Sequence, residues 1–312
     1  MKAISLKDIK QELIHLSPNE LQEICLRLSR FKKENKELLS YLLFHSSDED
    51  AYIESIKKLI DEGVDVLVVV PCDAMKASEI PKMAQEAGIP TISYDRLIMS
   101  RSLSLYISYD NEKVGELQAE YVIKKVPKGN YILINGPTSD NNSIQFRKGQ
   151  LKVLQKHIDE GNIKILEDYT MSDWSEIEAL MKMDEFLSVS EVKPDVIIAG
   201  NDALANGSIE ALKSHGIEGT VAITGQDADL AAIKNIIAGN QSMTIYKPIK
   251  TLAHLAAENA MKLAKGESLE NLTKVKHGAI EVDAILLAPV SIDKSNYKET
   301  VVKDGHILET DL

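Results

Sequence analysis

Six polar strings in the 312-residue chain share a context, because each follows a short run of β-branched or aliphatic residues. They are Asp95-Arg96 after TISY, Asn141-Asn142 after YILI and its loop, Trp174 after IKIL, Asn201-Asp202 after VIIA, Gln226-Asp227 after VAIT, and Lys247-Pro248 after MTIY. In open α/β sheets ligands bind outside the carboxyl ends of the strands, so these are the positions where recognition groups belong. Carboxylates, carboxamides and guanidinium groups suit a neutral polyol, whose adjacent hydroxyls each donate and accept, and an indole suits the C–H face of a sugar ring. The local alternative is that Asp202 and Asp227 cap helices and Asn141 makes an Asx turn.

Other chemistry lacks its residues. There is no GxxxxGK[ST], no GxGxxG after a strand, no GxSxG and no HExxH, and the seven histidines have no ligand spacing. Neither a cofactor nor a metal is expected. Asp95 and Asp227 resemble an acid/base pair, but Arg96 and Lys247 are expected to hold both ionised, whereas a general acid needs a raised pKa. Binding without catalysis is therefore the expectation.

Strands read at 64–70, 91–94, 105–108, 131–134, 163–166, 196–199, 221–224, 243–246 and 284–287 must position these groups. Near-continuous apolar runs such as VDVLVVV suit strands covered on both faces. Helical spacing appears at 76–87, 113–125, 144–157, 202–214 and 249–264, with Gly88 and Gly216 as stops just past two ends. Alternation of this kind specifies an α/β fold of doubly wound parallel sheets.

The first 48 residues differ. Leu6–Leu16 and Pro18–Lys33 read as helices, the second opened by the capping box Ser17-Pro18-Asn19-Glu20, and no strand pattern precedes Val64. The whole chain has 36 Lys+Arg against 48 Asp+Glu, a net charge of -12, which argues against nucleic acid or an anionic membrane as the main partner. No run reaches 18 apolar residues, and the N-terminus lacks a signal-type apolar core, so the chain as it stands reads as cytoplasmic and not membrane-inserted. Cys25 and Cys72, without CxxC, are expected to be buried and apolar in role.

The strings GVDVLVVVP, YDRLI, YISYDNEKVGELQA, DNN with FRKGQ, GNDA, GQDADLAAIKN, MTIYKPI and VVKDG resemble the D-xylose-binding branch of the type I periplasmic sugar-binding family, over about residues 50–312. The resemblance implies two α/β lobes, 49–112 with 249–283 and 113–248 with 284–312, joined by crossings near 109–113, 246–249 and 281–286. It implies that Asp95 and Arg96 bind sugar hydroxyls from the first lobe and Asn142, Asn201, Asp227 and Arg147 from the second. Trp174 would stack on the ring and Lys247 would contact the sugar near the hinge. A monosaccharide, an ABC importer permease and a periplasmic location are the implied partners and setting.

The front departs from that pattern. The family's opening βαβ unit, whose first loop adds ligand contacts, is not legible, and residues 1–48 resemble instead an unrelated helical protein, as in a gene fusion. A weakened sugar site is the expected consequence, with the helical segment covering the exposed edge of the first sheet. Two rival readings are a cytoplasmic sugar-responsive regulator and a helical interaction module fused to a domain that no longer binds.

Overall fold

The computed structural model describes residues 49–312, together with Ser17, Ile24 and Arg27. The expectations for Cys25, for the two N-terminal helices, and for their packing over the sheet edge lie outside the described residues. The chain divides into two compact units, Met1–Leu59 and Ile60–Leu312. No helix among the described residues is long and apolar enough to cross a membrane.

Helix α1 (Glu49–Asp61) leads to β1 (Leu67–Val69), α2 (Glu79–Glu86), β2 (Thr91–Tyr94) and β3 (Leu105–Tyr109). The chain continues through α3 (Asn111–Lys125), β4 (Gly129–Asn135), α4 (Asn141–Asp159), β5 (Ile163–Thr170) and α5 (Glu176–Val189). Then come β6 (Val196–Ala199), α6 (Asp202–Ser214), β7 (Ala222–Thr224), α7 (Leu230–Ala238) and β8 (Thr244–Tyr246). It closes with α8 (Ile249–Ala264), β9 (Thr273–His277), β10 (Ile280–Leu287) and β11 (Val290–Ile292).

Two principal sheets result. The first has the order β1-β2-β3-β10-β9, parallel except for the antiparallel β9, and the second the order β5-β4-β6-β7, parallel throughout. A small antiparallel pair joins β8 to β11. The period of two decides how the second sheet is covered. Ile132 and Ile134 face a cluster with Met183, Leu204 and Ile209 from α5 and α6, while Tyr131 and Leu133 face Ala119, Val122 and Leu154 from α3 and α4. The first sheet is also covered twice: Ile92, Leu105 and Ile107 pack on Leu252 and Ala256 of α8, and Tyr106 and Ala284 pack on Leu97 and Met99.

Three passages link the sheets: Tyr109 to Asn111, Tyr246 to Ile249, and Leu287 to Val290. The third corrects the expected crossing at 281–286. Residues Ala284–Leu287 pair with Tyr106–Tyr109 of β3, so they belong to the first sheet and the chain crosses after them. Cys72 is exposed, not buried, because it lies in the loop after β1 and not in a strand or helix. Most described histidines are partly buried; His215 meets Asp184 at 3.0 Å and His306 meets the Ala228 carbonyl at 3.1 Å.

Candidate functional site

Between the sheets lies an open cleft of about 430 Å³, lined by Asp95, Arg96, Asp140, Asn142, Phe146, Trp174, Asn201, Gln226, Asp227 and Lys247. Seven of the eight residues picked out by the sequence meet there.

Asp95 ends β2 at φ 60°, a left-handed conformation rare for a residue with a Cβ. Its N–H donates to the Ile107 carbonyl at 2.8 Å, and its own carbonyl accepts from Ser108 Oγ at 2.6 Å and Tyr106 Oη at 3.1 Å. Those anchors leave the carboxylate directed at the cleft, where Lys247 Nζ lies 3.6 Å from Oδ1. Arg96 reaches across to the second lobe: its Nε is 3.0 Å from Asp140 Oδ2.

Asp140 was not anticipated, and it organises one wall. Its Oδ1 caps α4 by accepting from the Asn142 N–H at 2.9 Å, and its Oδ2 accepts from Trp174 Nε1 at 3.0 Å as well as from Arg96. Asn142 Oδ1 in turn accepts from Asn111 Nδ2 at 2.9 Å. The Trp174 indole lies against the backbone at the ends of β4 and β6. A Cβ at Gly136 would sit 2.5 Å from the ring and one at Gly200 would sit 3.1 Å from it, so both positions need glycine. Phe146 tilts against the indole with centroids 6.1 Å apart, and Lys247 Nζ stands 5.7 Å over the Phe146 ring.

Asn201 does two jobs: its Oδ1 caps α6 by accepting from the Leu204 N–H at 3.0 Å, and the residue lines the cleft. The capping alternative therefore holds for Asn201, not for Asp202, which sits one residue inside the helix. Asp227, at φ 109°, is exposed at the cleft, and Gln226 Nε2 donates to its Oδ1. Partial loss of hydration beside the neighbouring protein pushes its carboxyl up to about 7. Lys247 pulls it down, Asp229 and Asp95 push it up, and Arg96 pulls it down. Loss of hydration thus works against the two cations that are expected to keep Asp227 ionised.

Arg147 is the exception. Its Nε lies 3.1 and 3.0 Å from the two Asp168 oxygens, and it lines a separate cleft of about 750 Å³ with Asp168, Thr170 and Ser143. Arg147 lies five residues beyond Asn142, about 140° further round α4, enough to aim it at β5 instead of at the sugar-sized cleft. Asp140 and Phe146 were missed although each adjoins or lies within a string already singled out, and Gln226, named with Asp227 after its strand, joins the lining. The Ser-Asp-Asn sequence before α4 was the available signal for Asp140, as an N-cap.

The family model "Periplasmic binding protein domain" matches residues 29–268. It starts earlier than the strings near residue 50, so residues 29–48 fall inside the match and are not the unrelated segment that the sequence suggested. The D-xylose-binding periplasmic protein of Escherichia coli K12 is 43% identical over 296 residues, covering 92% of this chain and 90% of its own length. That of Haemophilus influenzae is 44% identical over 289 residues, covering 90% and 87%. Among solved structures, a Clostridium phytofermentans ABC transporter solute-binding protein with bound β-D-glucose aligns at a TM-score of 0.76 with 30% identity, covering 83% of this chain and 86% of that one. Taken with the two-sheet architecture and the cleft between the sheets, these matches mean that the chain belongs to the periplasmic binding protein family.

Proposed function

We propose that the protein binds a monosaccharide, D-xylose foremost, in the cleft between its lobes and releases it unchanged, as the solute-binding component of an ABC importer. The observation that carries this reading is the lining of the cleft. Asp95, Arg96, Asn142, Asn201, Asp227 and Lys247 bring hydroxyl-recognising groups from both lobes around one indole. The first relatives named above are D-xylose-binding and periplasmic by name, which supports the periplasm over the cytoplasm as this protein's compartment.

Trp174 is the only tryptophan of the chain, so its fluorescence reports the cleft directly. Titration with D-xylose should change that emission saturably and release or absorb heat in calorimetry, with D-glucose and D-ribose as competitors of rank to be determined. Absence of both signals with every monosaccharide would sink the reading.

A further inference from the structure

Asp202 is a fully buried carboxyl group that does not line the cleft. It lies in the first turn of α6, where a solvent-facing carboxylate would favour the helix dipole, but Asn201 already caps that helix and Asp202 points inward. Its Oδ1 accepts from Gln241 Nε2 at 2.9 Å and Thr244 Oγ1 at 2.8 Å, and its Oδ2 accepts from the Asp229 N–H at 2.9 Å. Its own N–H donates to the Gln226 carbonyl at 2.9 Å.

Every one of these partners belongs to, or flanks, the turn from Gly225 to Asp229. That turn contains two successive non-glycine residues at positive φ, Asp227 at 109° and Ala228 at 56°. Such backbone is costly and persists only where its surroundings over-determine it. The anchors are the Asp227 N–H on the Ile245 carbonyl at 2.9 Å, the Ala228 N–H on Thr244 Oγ1 at 3.3 Å, and Asp202 itself. Any side chain at Gly225 would collide with Asp202 Oδ1, so the turn is moulded onto this carboxyl.

We propose that Asp202 is a positioning residue for the sugar site, holding the Gly225–Asp229 turn in the strained conformation that presents Asp227 to the cleft. Its effect on affinity rests on the sugar-binding reading above; its hold on the turn does not. Burial pushes the Asp202 carboxyl well above the usual range and the charge of Asp227 adds to that, while Asp229, Gln241 and Thr244 oppose it by hydrogen bonding. A group kept at that cost against its own helix needs a task beyond capping.

The test compares Asp202→Asn and Thr244→Val with the wild type and with Thr244→Ser, which returns the hydroxyl. An asparagine has one acceptor oxygen where three donors converge, so its amide must face either the Asp229 N–H or the Gln241–Thr244 side. Hydrogen exchange at the Asp227, Ala228 and Asp229 amides, read without sugar, should be at least about tenfold faster in Asp202→Asn and Thr244→Val, with β6 amides unchanged. The dissociation constant for D-xylose should rise at least about tenfold in both, and Thr244→Ser should recover most of the loss seen with valine. Should Asp202→Asn not fold, the Thr244 pair carries the same comparison. Unchanged exchange in the turn overturns the proposal whatever the cleft binds, and so does faster exchange with an unchanged D-xylose constant. A wild type that binds no monosaccharide overturns the sugar reading instead, while the exchange comparison still decides whether Asp202 holds the turn.

Discussion

Asp227 is placed where binding and stability pull in opposite directions. A carboxylate facing the cleft is suited to accept from hydroxyl groups, yet loss of hydration moves its pKa from 3.8 up to about 7. Between those values the folded protein holds a proton that the unfolded chain has lost, so this group's contribution to stability is full below about pH 4 and is lost as pH rises towards 7. Asp227→Asn has no such loss. Its sugar-free melting temperature should therefore gain on the wild type between pH 5 and pH 8, by roughly 2–4 °C because water in the cleft screens the charge. The same variant should bind D-xylose about ten- to a hundredfold more weakly, as expected for removing a charged hydrogen-bond acceptor. A melting difference that is flat with pH would show that Asp227 titrates normally. The place of Asp227 at the cleft is legible from its position after a strand, whereas the loss of hydration that raises its carboxyl is not, since that depends on what other elements bring around it. Arg147 failed for a related reason: Asp168, the residue that captures it, is on β5, 21 residues further along the chain.

Elements with a clean stripe or a short β-branched run were legible to the residue, among them Thr91–Tyr94, Val196–Ala199, Asp202–Ser214 and Ile249–Ala264. Helices α5 and α7 were not. Ile177, Met181 and Val189 of α5 are exposed and blur its stripe, and α7 reads LAAIKNIIA, apolar almost all round. Strand β9, TKVKH, is a largely exposed edge with no apolar run to announce it. The contact of α3 with α4 shows what element packing does for the site. A Cβ at Gly115 would collide with the Phe146 carbonyl and one at Gly149 with the Glu112 carbonyl, so the two helices touch backbone to backbone. Helix α4 carries both Asn142 and Phe146 into the cleft. Gly115→Ala should force α4 away, costing about 1–3 kcal/mol in melting experiments and weakening D-xylose binding as Phe146 shifts. Gly161→Ala is the control. Its φ of 70° penalises a side chain, but nothing lies within 4 Å, so it should cost about 1 kcal/mol and leave affinity alone. Equal affinity in the two variants would mean that helix spacing does not set the cleft.

Across the whole Ile60–Leu312 unit, the cleft residues come from both sheets, and several polar contacts span the lobes there. Arg96 meets Asp140, and the Ala74 N–H donates to the Ser139 carbonyl at 2.9 Å. Arg96 is about a third exposed, so its ion pair alone is worth at most about 1 kcal/mol. Asp140 keeps its bonds from Asn142 and Trp174 when Arg96 is removed, which avoids a stranded carboxylate. Arg96→Ala should thus melt within a few degrees of the wild type when no sugar is present. A ligand that binds only the folded, closed cleft adds roughly 2.7 kcal/mol at a hundred times its dissociation constant. At about 2–4 °C per kcal/mol, D-xylose should raise the wild-type melting temperature by roughly 5–10 °C. Arg96→Ala at the same sugar concentration should show less than half of that rise, because the sugar loses its guanidinium contact from the first lobe while the second-lobe wall stays intact. An undiminished rise would show that Arg96 does not hold the sugar, leaving Asp95 as the first-lobe group that faces it.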